Sequence, residues 1–144
     1  GFRKLTSIWE PSPCTIPGLG SGVLEMRVKE GTKIRNLLHF AISRFQGEGH
    51  VSPVSQVIFS GLGRAITKTI TCTEIVKRNV QGLHQVSKLQ YRNILEIWEN
   101  QAGERVNECK TVPSICILLS KEPLDPQELG YQSPIETSSK SEEK

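Results

Sequence analysis

The stretch VIFSGLGRAITKTITCTEIVKRNV, residues 57–80, contains the pattern that decides the fold. It opens with a short run of apolar and β-branched residues, which predicts a buried strand. Two glycines, Gly61 and Gly63, end the strand, and the residues beyond them have helical spacing. The apolar stripe of this second helix comprises Ile66, Ile70, Thr73, Val76 and Val80. A strand that enters a helix through glycines and basic residues is typical of a phosphate-binding loop.

The loop between this strand and helix lacks the motifs of nucleotide-binding enzymes. A P-loop needs its lysine directly after the last glycine, whereas Lys68 follows Thr67. A dinucleotide fingerprint needs a third glycine where this chain has Ile66. The three histidines lie on separate elements, without a Ser or Cys nucleophile motif beside them. The sequence therefore predicts no catalytic residues and no cofactor, and an enzyme acting on a small molecule is an unsupported alternative.

The residues before the loop predict a strand and a first helix. VLEMRV, residues 23–28, alternates as a short strand does, with Leu24, Met26 and Val28 on one face. Thr32 is placed to cap the helix that follows. The apolar stripe of this first helix comprises Ile34, Leu37, Leu38, Ala41, Ile42 and Phe45.

The residues after the second helix predict two more strands. Residues 83–98 are rich in β-formers, but the parity of their apolar positions changes, which predicts a bent or bulged strand. A polar connection at 99–110 and a last strand at 112–120 follow. The order strand-helix-strand-helix-strand-strand predicts a two-layer α+β fold, in which a mixed four-stranded sheet carries both helices on one face.

The other face of this sheet is expected to be uncovered. A small domain with a bare sheet face often completes its burial by pairing with another chain. The residues that either form such a partner surface or belong to the ordinary core are Ile94, Leu95, Ile97, Trp98 and the run 115–119.

Composition divides the chain into three parts. Residues 10–22 are crowded with Pro, Gly and Ser, and residues 1–22 are predicted to be a flexible N-terminal leader. Residues 23–122 hold the expected helices and strands and form the predicted domain. Residues 123–144 are predicted to be a C-terminal extension, largely a disordered acidic tail, because 6 acidic and 3 basic residues lie from Lys121 to the end.

Charge is unevenly distributed along the chain. From Val23 to Trp98 there are 11 basic and 5 acidic residues, a net charge of +6. A basic body with an acidic tail suits an anionic partner, although a solvated surface explains the charge equally well. No stretch approaches the roughly 18 apolar residues of a membrane-spanning helix, so no membrane partner is expected. The four cysteines have no C-x-x-C spacing, so no metal site is expected either.

The glycine loop is nevertheless a candidate contact for a nucleic-acid backbone. Arg64 and Lys68 stand one helical turn apart, at a helix start whose unpaired amides attract anions. Glycines let a backbone approach a phosphate closely, although a tight turn without a ligand is the alternative. The start of the first helix extends the patch if both helix starts lie at one edge of the sheet. The candidate RNA-binding residues are Lys33, Arg35, Gly61, Gly63, Arg64 and Lys68.

Two segments, KEGTKIRNLLHFAISRF at 29–45 and VIFSGLGRAITKTITCTEIVKRNVQGLHQV at 57–86, resemble the Alba superfamily. Within it they are most similar to the larger Alba-type protein subunit of eukaryotic ribonuclease P and ribonuclease MRP. The motif G-x-G-R-A-x-x-K before a helix, with EIVKR after it, carries the resemblance, which covers about residues 23–122. It continues into LDPQELGYQSP at 124–134, which looks like that group's C-terminal extension. The implied fold is the Alba-like two-layer sandwich.

The resemblance implies a noncatalytic RNA-binding subunit of a ribonucleoprotein. Proteins of this group pair with a second, smaller Alba-type subunit, and the heterodimer binds a structured peripheral stem and internal loop of the noncoding RNA. The particles process the 5′ ends of precursor tRNA, or rRNA precursors, in the nucleus and nucleolus. Residues 61–68 match the family's nucleic-acid-contacting turn, and Lys33 matches a helix-start lysine.

The alternative is an Alba-like general DNA- or RNA-binding packaging protein. Archaeal chromatin forms commonly present two adjacent lysines at the start of the first helix, where this chain has Thr32 and Lys33. The polar connection at 99–110 carries 3 acidic and 2 basic residues. Both departures disfavour a basic arm that grips a duplex, and with it the packaging alternative.

Overall fold

The computed structural model describes residues 1–9, 16–20, 22–47 and 52–135. Its helices are α1 (Ile34–Gln46) and α2 (Ala65–Asn79). Its strands are β1 (Arg3–Trp9), β2 (Leu24–Val28), β3 (Gln56–Leu62), β4 (His84–Glu99), β5 (Arg105–Ser120) and β6 (Tyr131–Gln132). The predicted order of strands and helices is confirmed from β2 to β5, and so is the α+β class. Among the residues described, no helix is long and apolar enough to cross a membrane.

The six strands form one mixed sheet, which has two strands more than predicted. Its order is β1-β4-β5-β3-β2, with β6 paired to β4. β2 and β3 are parallel, and the connection between them contains α1; the other pairings are antiparallel. Because β2 and β3 run in the same direction, the loops that lead into α1 and α2 lie at the same end of the sheet.

Both helices pack on one face of this sheet, as predicted. Phe59 of β3 and Ile117 of β5 point into the same buried cluster as Phe45 of α1 and Val76 of α2. Ile70 was expected in the buried stripe of α2 but is exposed. The buried residues of α2 are Ala65, Thr69, Cys72, Thr73, Val76 and Lys77.

The sequence predicts an uncovered sheet face opposite the helices, and this prediction is wrong. Residues 16–20 and 121–135 contribute side chains to a second apolar cluster on that face. The cluster comprises Ile16, Ile58, Val86, Cys116, Leu118 and Leu124, with Val23 and Tyr131 beside it. Apolar side chains from residues 16–20 and from the C-terminal extension therefore cover this face, and the run 115–119 is core.

Polar contacts also tie the C-terminal extension to β4. The Tyr131 hydroxyl lies 2.9 Å from His84 Nδ1, and Lys88 Nζ donates a 2.6 Å hydrogen bond to Glu128. Lys77 of α2 is buried, and its ammonium donates to the side chains of Glu74, Gln85 and Gln132. Residues 123–135 of the predicted extension are therefore part of the fold, and its remaining residues, 136–144, lie outside the described residues.

The β4–β5 hairpin projects beyond the rest of the sheet as an arm, residues 92–112. β3 ends at Leu62, opposite Ser114, whereas β4 and β5 stay paired out to Glu99 and Arg105. The polar connection predicted at 99–110 is therefore only a turn at 100–104. The pairing is also unbroken, so the predicted bulge is absent between these two strands. Backbone pairing extends β5 although its side chains from 105 to 110 are exposed.

β1 adds a third strand to the arm. It runs antiparallel to β4, from Arg3 opposite Glu99 to Trp9 opposite Ile94, with a register shift between Lys4 and Thr6. The predicted flexible leader is therefore wrong for residues 3–9. Most side chains of β1 are exposed, so no apolar pattern marks it, and the unpaired edge of β4 supplies its backbone partners. The predicted linker falls partly on residues 10–15 and 21, which lie outside the described residues.

The sequence predicts that residues 94–98 of β4 either contact a partner or belong to the core, and the arm covers much of their surface. Ile94 is buried, and Leu95, Ile97 and Trp98 are half-buried within the three-stranded arm. The most exposed apolar residues of β4 are Leu89 and Tyr91, with exposed fractions of 72% and 73%. The exposed apolar surface of β4 therefore lies at residues 89–91, earlier in the strand than the predicted 94–98.

Gly61 sets how closely α2 approaches the sheet. A Cβ atom at this position would lie 2.0 Å from Thr69 Oγ1 and 3.0 Å from the Ala65 carbonyl oxygen. The Thr69 hydroxyl itself donates to that carbonyl at 2.7 Å. The first two turns of α2 therefore rest directly on the backbone of β3, which only glycine allows.

We expect Gly61→Ala to lower the free energy of unfolding by about 1–3 kcal/mol, because the added methyl group overpacks this contact. Gly31→Ala is the matched control, since a Cβ there meets no atom within 4 Å, and its effect should stay within about 0.5 kcal/mol. Urea denaturation measures both. In the double variant Gly61→Ala/Thr69→Ala the losses should be less than additive, because the clashing hydroxyl is gone. Equal effects of the two glycine substitutions would contradict the close approach.

Candidate nucleic-acid interface

Two loops meet at the end of the sheet where α1 and α2 begin. Lys68, in the first turn of α2, donates hydrogen bonds from Nζ to the carbonyl oxygens of Glu30 at 2.5 Å and Thr32 at 2.9 Å. Both carbonyls belong to the loop between β2 and α1. The predicted condition for a joint patch, that both helix starts lie at one edge, is therefore fulfilled. The same contacts show that the ammonium of Lys68 is occupied by the protein's own backbone.

The two glycines of the loop have structural partners. Gly61 lies inside β3 and faces Thr69, and Gly63 has a positive φ of 53°. The amide of Gly63 donates to the Pro113 carbonyl at 2.8 Å, and its own carbonyl accepts from Ile66. The close approach of α2 explains Gly61, and a tight turn explains Gly63, without a ligand in either case. Their direct contact with RNA stays a prediction.

Exposed cations surround this junction. Arg64, between the end of β3 and α2, has an 89% exposed side chain, and Lys33 and Arg35 are exposed at the start of α1. Lys29 is exposed in the same loop. Neither α1 nor α2 carries an acidic residue in its first turn, so the partial positive charge of each helix start is not offset from within. We call Lys29, Lys33, Arg35, Arg64 and Lys68 the basic edge.

Glu30 is the acidic residue within the basic edge. Its Oε2 lies 3.7 Å from Arg64 Nη1, an ion pair between two exposed side chains. Such exposed pairs contribute little to stability and are weakened by salt. A phosphate can therefore compete with Glu30 for the arginine. Sequence reasoning missed this residue, although its position within KEGTK beside two lysines was a signal.

Thr32 does not cap α1 as predicted. The residue that caps this helix is Lys33, without a side-chain capping bond, and Thr32 Oγ1 accepts a hydrogen bond from the Lys29 amide at 2.9 Å. Together with the Lys68 contacts, this bond closes the loop on itself. The loop holds Lys33 outward at the helix start, where its side chain makes no ion pair among the described residues.

The arm carries a separate charged row. The buried carboxylate of Glu96 lies 3.4 Å from Lys4 of β1 and 3.4 Å from Lys110 of β5. Burial acts to raise the pKa of Glu96, but the charges of Lys110 and Lys4 outweigh it and hold the pKa below its ordinary value. Lys4 comes from the segment predicted to be a leader, so only the folded structure joins it to the arm.

The described residues offer no clear catalytic centre. They contain no group of three or more His, Cys, Asp or Glu side chains placed to hold a metal ion. The one buried thiol there that is free of a disulfide, Cys72, is an unsuitable nucleophile, because burial raises its pKa while the charge of Lys68 acts in the opposite sense. The chemistry available at the basic edge is binding of an extended anion.

The order of strands and helices defines an Alba-type protein. The Alba family model matches residues 24–93, from β2 to the middle of β4. A solved structure of Alba from Thermoplasma volcanium matches 69% of this chain and 99% of its own, with 17% identity and a TM-score of 0.38.

Two relatives are more specific. The chain is 44% identical over 156 residues to ribonuclease P protein subunit p25 of Rattus norvegicus. This alignment covers 92% of this chain and 76% of that protein. It is 43% identical over 137 residues to the human ribonuclease P protein subunit p25-like protein, with 92% and 82% covered. The chain therefore belongs to the Alba family, among the relatives of the p25 and p25-like subunits.

We expect Lys68→Ala to lower the free energy of unfolding by about 1–3 kcal/mol, because two carbonyl oxygens lose a charged hydrogen-bond donor. Lys33→Ala removes the same charge from an exposed side chain and should change stability by no more than about 0.5 kcal/mol. Urea denaturation of both variants measures the difference. If the two substitutions act equally, Lys68 does not hold the β2–α1 loop.

Proposed function

We propose that this chain is a noncatalytic RNA-binding subunit of the ribonuclease P and ribonuclease MRP ribonucleoproteins. The observation that carries the RNA-binding part is the basic edge, where two helix starts and five cations meet around one carboxylate. The similarity to p25 subunits along 92% of the chain supports the choice of particle. In this role the protein supports processing of precursor tRNA 5′ ends and of rRNA, in the nucleus and nucleolus.

The charge at the basic edge suits a structured RNA stem. Helix starts and arginines bind phosphate oxygens without reading bases, so they recognise the backbone of a folded RNA. The side chain of Arg64 is 89% exposed, and its guanidinium can bind two phosphate oxygens at once. Lys68 acts mainly by holding the loop that presents Lys33. We therefore assign direct contacts to Arg64, Lys33 and Arg35.

We propose a second, smaller Alba-type subunit as the protein partner. Leu89 and Tyr91 lie on the helix side of β4, since Leu89 pairs with the core residue Ile115. Lys77 of α2 bonds to Gln85 of β4, so this face of the helix points toward β4. Ile70 lies two turns earlier on the same helix face and is exposed.

Ile70, Leu89 and Tyr91 form what we call the partner surface. The helix runs antiparallel to β4, because β3 and β4 both run antiparallel to β5 and the helix returns between them. Ile70 therefore lies beside the Leu89 part of the strand. Three large side chains exposed together favour burial against a second chain of the same fold.

The first functional prediction concerns Arg64. Arg64→Ala should reduce the slope of log affinity against log salt by about 0.7–0.9 for an RNA stem with an internal loop, because one phosphate contact is lost. Arg78→Ala is the matched control, since it removes an exposed charge from the last turn of the same helix. Filter binding at several salt concentrations measures both slopes.

Glu30→Gln completes this test in the opposite direction. It should raise the RNA affinity about 2- to 5-fold at low salt, since Arg64 no longer has an ion-pair partner. Loss of slope in Arg78→Ala but not in Arg64→Ala would move the RNA to the other end of α2. Equal affinity for bulk duplex DNA and structured RNA would favour the packaging alternative.

The second functional prediction concerns the partner surface. Leu89→Ala should weaken binding of the smaller subunit about 10- to 100-fold, because a leucine buried at the interface loses most of its apolar area. Leu129→Ala is the matched control: this leucine is 82% exposed, in the C-terminal extension. Isothermal titration calorimetry compares the two variants. A stronger effect of Leu129→Ala would place the partner on the extension.

A further inference from the structure

The arm carries a groove that is separate from the basic edge and contains aromatic side chains. It is lined by Phe2, Trp98, Val106, Asn107 and Glu108 and has a volume of about 430 Å³. Trp98 and Val106 are directly opposite each other across β4 and β5, so their side chains share one face of the arm. Phe2 precedes β1, whose residue Lys4 pairs with Trp98. The groove is therefore formed by β4, β5 and the residue that precedes β1.

The groove combines aromatic rings with polar groups. Phe2 is 48% exposed and Trp98 is half-buried, so ring surface is available for stacking. Trp98 Nε1 is buried and has no hydrogen-bond acceptor in the described part of the chain. A buried donor without an acceptor is unfavourable, and a ligand with a carbonyl oxygen would satisfy it. Asn107 and Glu108 add an amide and a carboxylate to the lining.

Two lysines lie beside the groove. Lys4 and Lys110 flank Glu96, two residues from Trp98 on the same face of β4. About half of each lysine side chain is exposed, 47% and 51%. An aromatic groove next to exposed cations is the arrangement by which proteins bind single-stranded nucleic acid, since every base has a face that stacks.

We propose that this groove binds one unpaired nucleobase of the RNA, stacked against Phe2 and Trp98, with the adjoining phosphates on Lys4 and Lys110. The proposal rests on the proposed RNA-binding function and adds a second contact to it. The arm extends from the end of the sheet that carries the basic edge, as the Gly63–Pro113 hydrogen bond shows. An RNA stem held at that edge therefore brings its unpaired nucleotides to the arm.

The test uses the full chain and two RNA hairpins, one with an internal loop of unpaired uridines and one that is fully paired. Phe2→Ala should weaken binding of the looped hairpin about 5- to 100-fold and leave binding of the paired hairpin unchanged. Phe40→Ala is the matched control, because Phe40 has similar exposure but lies on α1. Phe2 lies outside the core clusters, and a thermal melt checks that the variant folds like the parent chain.

A second measurement does not depend on a substitution. With 5-iodouridine in the internal loop, ultraviolet crosslinking should join the RNA to Phe2 or Trp98, as mapped by mass spectrometry of the digested complex. Crosslinks confined to α1, or equal losses for Phe2→Ala and Phe40→Ala, would overturn the proposal while leaving RNA binding intact. Failure of both hairpins to bind the parent chain would overturn the proposed function as well. If Phe2→Ala weakens capture of a protein partner and not of RNA, the groove is a protein contact.

Discussion

The hydrogen bonds from Lys68 to two carbonyl oxygens of the β2–α1 loop are the interaction on which the candidate interface depends. They join the start of α2 to the start of α1, so the two helix starts present one continuous edge. The ion pair between Glu30 and Arg64 is a second side-chain contact between this loop and the start of α2. The lysine that a motif reading assigns to a phosphate is thus an internal brace. It sets the position of Lys33 and brings Glu30 near Arg64.

The close contact of Gly61 with Thr69 works with this brace. It lets α2 lie directly on β3, and so places Lys68 within reach of the neighbouring loop. With α2 in this position, Thr69 and Val76 are buried in the core and Ile70 is exposed. One steric requirement in the strand therefore affects two surfaces. It fixes the basic edge at one end of α2 and leaves the apolar side chain of Ile70 exposed along the helix.

Two other segments of the chain pair with the edge of β4. β1 covers its outer part, β6 and the extension pair with its beginning, and Leu89 and Tyr91 stay exposed between them. Because β1 brings Lys4 to Glu96, this buried carboxylate of β4 has a lysine on each side within the arm. Glu99, at the end of the same strand, is paired with Arg105.

The order of elements from β2 to β5 could be predicted from residues 23–122, because each helix has an apolar stripe and each strand an apolar run that must be buried. β1 and the outer half of β5 could not, since their side chains are mostly exposed and only backbone pairing defines them. The sequence likewise located the basic loop, through glycines next to Arg64 and Lys68. Only the tertiary structure decided which cation is free and which is a brace, because the carbonyls that bind Lys68 lie 36 and 38 residues away along the chain.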